Sequence, residues 1–340
     1  MSSQSTKPYT LIGTNGSPYS MKMRAILRYR RLPFKWVIRT TRNSSLIDHV
    51  KPALIPVLML PEDNSTMIDS TPLAYFLEER HPDDRSIIPE DPSHAFLSHL
   101  IEDMGDEWLT KSMFHYRWMY EADIKYATQW IIDEKYPDAT DEERKAHMHA
   151  FSDRQIGRMP LVGCTEENRP TVENSYHRIL NILEGHVDQH RYLFGSRPSL
   201  GDFGLFGQLC TLATDPTPLA IMREEAQRTE SWIRILEDAS GIEGEWLSGE
   251  TLNPATIGLL NFAGEVYLPF LQANADAFDA GKENFSLNLL GHPYTQKTFK
   301  YQIKCLSDLR SRYASLPPES KNRADQYLRE TGCLEFFTLK

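Results

Sequence analysis

Residues 52–82, PALIPVLMLPEDNSTMIDSTPLAYFLEERHP, read as strand, turn, strand and helix. Ile55–Leu60 is a short apolar run, Pro61-Glu62-Asp63-Asn64 supplies turn residues, and Thr66–Ile68 is a second short run, which together predict a β-hairpin. Asp69-Ser70-Thr71-Pro72 follows with a cap residue and a first-turn proline, and Leu73, Phe76 and Leu77 repeat at helical spacing up to His81-Pro82. A helix therefore opens on a carboxylate and a hydroxyl, at an end whose unpaired N–H groups and positive dipole suit an anionic or polar ligand group. Pro56 cannot donate to a ladder, which marks an edge, a strand start or a turn and admits a cis bond at Ile55-Pro56.

Working outward, Tyr9–Ile12 is a short strand broken by Gly13-Thr14-Asn15-Gly16, and Ser17-Pro18 opens a helix. Met21, Ala25, Ile26 and Leu27 form its apolar stripe, with Lys22, Arg24, Arg28, Arg30 and Arg31 expected on the solvent side; Phe34–Ile38 is the next strand. The order βαβ, a polar connection, then ββα predicts a small mixed α/β sheet with helices on its faces. Beyond about Ile88 no alternating strand is expected and helical patterns take over, so the second domain reads as all-α. Its expected helices include Ala95–Tyr120, a charged helix capped by Thr140 and Glu143, Thr171–His190, Phe203–Leu212 behind a Ser199/Asp202 capping box, Thr256–Ala273 broken near Pro269, Tyr301–Tyr313 and Lys321–Glu330. The predicted domains are residues 1–86 and 93–340, the latter with a C-terminal extension from about residue 250.

The chain of 340 residues is 40% hydrophobic and 25% charged, an ordinary globular composition long enough for two packed units. A formal net charge of −10 argues against nucleic acid or an anionic membrane as partner. Cys164, Cys210, Cys305 and Cys333 form no CxxC pair, and the opening MSSQSTKPYT lacks a signal-peptide core, so a cytoplasmic setting is expected. No apolar run is long enough to cross a bilayer.

The stretches LIGTNGSPYSMKMRAILRYRRLPFKWV, ALIPVLML and MIDSTPLAYFLEERHP, in that order, resemble the thioredoxin-like N-terminal domain of glutathione S-transferases, and RPSLGDFGLFGQL resembles the capped core helix of that family's helical domain. The resemblance covers the first eighty or so residues and one later helix. It is closest to serine-type, tau- or omega-like members. It implies a cytosolic enzyme, expected as a homodimer, that binds glutathione as co-substrate and joins its thiolate to a small hydrophobic electrophile, with no metal. The same site would serve a glutathione-dependent lyase, isomerase or dehalogenase, and the fold would also serve a non-catalytic protein-interaction module. A glutathione-dependent reductase is the third rival, but it needs a cysteine where Ser17 stands.

By this resemblance Ser17 would donate a hydrogen bond to the glutathione sulfur, with Tyr19 and Ser20 as lesser candidates. Lowering a thiol pKa by about two units takes about 2.7 kcal/mol, within reach of one charge-assisted hydrogen bond and a helix N-terminus. Ile55, Pro56 and Val57 would meet the cysteinyl backbone, and Asp69 and Ser70 the γ-glutamyl end; by spacing alone, Ser17, Asp69 and Ser70 are equally helix caps. Many relatives carry a lysine just before Ile-Pro-Val, whereas this chain has Ala53-Leu54, leaving Lys51, His49, Arg39 or Arg42 as substitutes for the glycine carboxylate. Trp108, Phe114 and Trp118, with Tyr116 and Tyr120, would line the electrophile pocket; as a bare aromatic stripe they read as core. Glu102, Asp103, Asp106 and Glu107 read as a solvated acidic helix face, with a cation site as the alternative. His147 and His149 are spaced wrongly to share one helical face as ligands, so no metal is expected.

Overall fold

A computed structural model describes residues 7–82, 85–187, 191–247 and 251–338. The first domain runs β1 (Tyr9–Gly13), α1 (Pro18–Tyr29), β2 (Phe34–Ile38), β3 (Val57–Met59), β4 (Thr66–Ile68) and α2 (Ser70–Arg80). Its sheet has the order β2-β1-β3-β4: β1 and β2 pair in parallel across the βαβ crossover, and β3 and β4 add antiparallel. Every expected strand is present. β3 is two-sided and begins only after Pro56, whose bond to Ile55 is cis. The proline thus stands where no ladder donor is needed.

The second domain is mostly helical. It contains α3 (Pro92–Met104), α4 (Thr110–Met119), α5 (Glu121–Lys135), α6 (Asp141–Ile156), α7 (Arg169–Val187), α8 (Leu200–Leu212), α9 (Pro216–Glu225), α10 (Gln227–Glu237), α11 (Pro254–Phe262) and α12 (Leu268–Asp279). The last three residues of the expected helix 171–190 lie outside the described residues. Two π-turns interrupt the helical runs, Gly105–Leu109 between α3 and α4 and Ala263–Tyr267 between α11 and α12. The second immediately precedes Pro269, whose ring lacks a donor and crowds the preceding turn, so the expected break is a widened turn.

The all-α expectation needs one correction. Residues 284–297 form an antiparallel hairpin, β5 (Asn284–Leu289) and β6 (His292–Lys297), ahead of α13 (Lys300–Ala314) and α14 (Pro318–Glu330). Its strands alternate only weakly in polarity, and its turn is Leu290-Gly291, both at positive φ. It is held in place from outside: buried Lys111 donates to Gln296 Oε1 at 2.9 Å and to the Val162 carbonyl at 3.0 Å.

α8 is the axis of the molecule. Its N-terminus is closed by Asp202, which accepts from the Ser199 amide at 2.8 Å, the Ser199 hydroxyl at 2.6 Å and the Leu193 amide at 3.1 Å. Glycines spaced three apart turn one face of this helix into a backbone surface. A Cβ at Gly204 would stand 2.7 Å from Glu102 Cα, and one at Gly207 would stand 2.8 Å from the Pro18 carbonyl. α3 and α1 are therefore drawn against α8 from two sides, and that approach brings their charged residues together.

Candidate active site

Ser17 is the N-cap of α1 and 9% exposed. Its Oγ accepts from the Ser20 amide at 3.3 Å, so the capping role inferred from spacing is real. An accepting hydroxyl keeps its own proton, and that proton remains free to be donated outward. Tyr19 is differently placed: its hydroxyl donates to the Asp106 carbonyl at 3.1 Å, and burial first, then Glu107 and Asp106, hold its pKa well above the usual phenol value. Tyr19 ties the two domains together, and Ser20 is fully buried.

Asp69 stands at the N-cap of α2 with φ of +78° and makes no capping hydrogen bond. The cap explanation that serves Ser17 therefore fails for Asp69. Its Oδ2 instead accepts from the Tyr301 hydroxyl at 3.3 Å, which leaves the first amides of α2 without a side-chain cap. Ser70 is buried beneath this point and donates to Asp106 Oδ2 at 3.3 Å.

Behind Ser70 lies a buried ion cluster. Lys22, expected on the wet side of α1, is fully buried, pairs with Glu102, and lies 2.7 Å from Asp106 Oδ2. Thr71 Oγ1 donates to Glu102 Oε1 at 2.5 Å. Arg24 and Arg30 are buried as well, so the cationic face of α1 points inward at three positions. The acidic face 102–107 is likewise not solvated. Burial would push the Glu102 carboxyl up, but Lys22 outweighs it and holds it low; burial raises Asp106 against the pull of the same ammonium. One cation neutralises one carboxylate, and the second keeps its proton more readily. The cation this acidic cluster holds is the side chain of Lys22. Along the same π-turn, burial and the charges of Asp103 and Asp106 push Glu107 up to about 8.

The three expected pocket aromatics are built into cores. Trp108 is 1% exposed, donates its indole N–H to Ser175 at 3.1 Å and packs edge-on to Phe270 at 5.1 Å. Trp118 is buried in a separate cluster with Ala127, Met159 and Cys164, and half-buried Phe114 packs against it. Ile55, Pro56 and Val57 lie together at the start of β3, and among the described residues Ile55 makes no backbone hydrogen bond. Of the four cations considered for the glycine end, Arg42 is committed to Asp138 at 2.8 Å and His49 to Thr66 at 3.4 Å; Arg39 and Lys51 remain. His147 stacks on Tyr136 and His149 pairs with Asp153. A cleft of about 500 Å³ lies elsewhere, lined by Met21, Arg24, Trp130 and Ile233 among others; the guanidiniums facing it, Arg24 and Arg234, are paired with Glu237 and Glu230. The sequence reading named Lys22, Asp106, Glu107 and Tyr301 only as a wet face, an acidic face and a helix start; their buried roles escaped it, because each acquires its meaning from a partner far along the chain.

The architecture is thus a thioredoxin-like sheet with a serine at the head of α1, backed by a mostly helical domain. The family profile described as glutathione S-transferase, N-terminal domain, matches residues 11–85, and that described as glutathione S-transferase, C-terminal domain, matches residues 165–234. The chain thus matches the models of both glutathione S-transferase domains, in their family order, over parts of its length. Among solved structures it is similar to a glutathione transferase of Phanerochaete chrysosporium (16% identity, TM-score 0.48, covering 68% of this chain and 97% of that one). It is also similar to a beta-etherase of Sphingobium (19%, 0.47, 66% and 93%). A third is a glutathione S-transferase of Methylobacterium radiotolerans in complex with glutathione sulfonate (19%, 0.44, 71% and 96%). No curated protein matches the chain. Among the described residues no group of His, Cys, Asp and Glu is arranged to hold a metal ion, and no helix is long and apolar enough to cross a membrane.

Proposed function

We propose that the protein binds glutathione at the junction of Ser17, Pro56 and the head of α2, stabilises its thiolate and transfers it to a small hydrophobic electrophile. The observation that carries this reading is the contrast between two helix starts. Ser17 caps α1 as an acceptor and keeps a proton to donate to sulfur, while Asp69 leaves α2 uncapped and turns its carboxylate outward. A zwitterionic γ-glutamyl group needs that pair, amides for its carboxylate and a carboxylate for its ammonium. Catalysis then comes from thiolate stabilisation and from holding two reactants together. The protein is taken to work in the cytoplasm as a homodimer, which size-exclusion chromatography with light scattering checks.

A lyase-type reaction, in which glutathione displaces an oxygen leaving group, is the second reading. One observation favours it: Glu107, electrostatic neighbour of Asp69 and Tyr301, keeps a carboxylic proton near neutrality and has no hydrogen-bond partner among the described residues. Such a group can protonate a departing oxygen. Isothermal titration with glutathione, followed by ultraviolet titration of the bound thiol, tests the common core. A bound thiol titrating near its free value of about 8.5 sinks both readings. Aryl halides against aryl ethers as substrates separate them.

A further inference from the structure

The last part of the chain folds back on the first domain. α13 starts beside the head of α2, where Tyr301 reaches Asp69, and continues across α2 and α3. Asp308 Oδ2 lies 3.0 Å from His99 Nε2 on α3, and the Arg312 guanidinium stands 4.3 Å over the ring of Tyr75 on α2. Arg312 also bonds Asp308 at 2.7 Å, and the Tyr75 hydroxyl meets His99 Nδ1 at 3.2 Å. α14 adds an ion pair between Arg323 and Asp91 at 2.6 Å. Tyr301 is therefore delivered by a clamped helix.

We propose that this C-terminal segment is part of the glutathione site, with Tyr301 as the positioning residue that presents the Asp69 carboxylate to the ligand's α-ammonium group. The assignment rests on the glutathione-binding reading above. An aspartate at an N-cap position competes to bond the first amides of its own helix. Asp69 does not, and the partner its side chain has instead is the Tyr301 hydroxyl on Oδ2. Oδ1 carries no bond from any described residue and is open to an ammonium donor. Without the phenol, Asp69 is free to swing onto the amides of α2. That movement removes the acceptor for the ammonium and fills the place of the carboxylate.

The test compares glutathione with its analogue in which the α-amino group is replaced by hydrogen, titrated calorimetrically into wild type, Tyr301→Phe, Asp69→Asn and the double variant. The expected result for Tyr301→Phe is a five- to twenty-fold rise in the Kd for glutathione, kcat at saturating glutathione within two-fold of wild type, and a clearly smaller rise in the Kd for the analogue, which loses only the place of its carboxylate. In the Asp69→Asn background Tyr301→Phe adds nothing, because the two residues act through one carboxylate. Tyr301→Phe keeps the ring, and an unchanged melting temperature confirms that it folds. Equal glutathione affinity in wild type and Tyr301→Phe overturns the assignment, as does an equal loss for both ligands. A wild-type protein that binds neither ligand overturns the glutathione reading itself, an outcome distinct from binding that ignores Tyr301.

Discussion

The ammonium of Lys22 lies 2.7 Å from Asp106 Oδ2, and the same oxygen accepts the hydroxyl of Ser70 at 3.3 Å. A buried cation from α1 thus backs the head of α2 through the π-turn that follows α3. Removing the cation strands Glu102 and Asp106 in the interior. Lys22→Met is expected to destabilise the fold by about 3–5 kcal/mol, the usual cost of breaking a buried pair on one side. Neutralising all three groups, Lys22→Met with Glu102→Gln and Asp106→Asn, recovers most of that loss. Urea unfolding of the single and triple variants reads both effects.

Ser17→Ala separates capping from chemistry. Loss of the cap costs about 0.5–2 kcal/mol of stability. Loss of the hydrogen bond to sulfur is expected to lower kcat about 10- to 100-fold, corresponding to roughly 1.5–3 kcal/mol for a bond to a charged group, with little change in glutathione affinity. Steady-state kinetics beside a melting curve distinguishes the two. Turnover equal to wild type points to a backbone amide as the hydrogen-bond donor to the thiolate, since the Tyr19 hydroxyl is already committed to the Asp106 carbonyl.

Asp69 is held at a φ of +78°, a region that costs a non-glycine residue about 1 kcal/mol or more. Asp69→Gly is therefore expected to melt higher than Asp69→Ala. Both lose the carboxylate, so both weaken glutathione binding by about tenfold or more. Differential scanning calorimetry and titration of the same two samples check the difference in melting and the shared loss of binding. Equal melting temperatures mean that the backbone at residue 69 relaxes on substitution.

Glu107 makes stability fall as pH rises. Burial, then Asp103 and Asp106, move its pKa from 4.5 to about 8, while Lys111 pulls the other way and Asp69 adds a further push upward. The folded state keeps a proton that the unfolded chain releases near pH 4.5, so the native state is favoured at low pH and loses ground through the window up to about pH 8. Asp103, raised to about 6 by burial, and Asp202, raised to about 7 by burial, slope in the same direction. Glu107→Gln should flatten the upper part of the curve, between about pH 6 and 8. A variant curve parallel to wild type in that range sinks the assignment.

The first domain was legible because its signals are local. The Pro56 break, the Asp69-Ser70 helix start and the apolar runs of β1–β4 each lie within a few residues of what they determine. The Ser199/Asp202 capping box was readable for the same reason. The site's electrostatics were not. Lys22 on a helix looks solvated until Glu102 and Asp106 arrive from eighty residues away, and those two look like a wet acidic face until Lys22 meets them. The aromatic stripe 108–118 could face a pocket or a core with the same spacing, and the hairpin and Phe270 that enclose Trp108 decide for the core. β5 and β6 were missed because their side-chain alternation is weak and buried Lys111 is what pins them.

Asp69 and Tyr301 meet across 232 residues of chain. During synthesis the four strands of the first sheet emerge long before α13 exists, since all of them lie before residue 69. The corner at Asp69 is completed by a contact of very high sequence separation, the kind that is slow to form. A nascent or truncated chain that ends before α13 therefore leaves Asp69 without the Tyr301 hydroxyl.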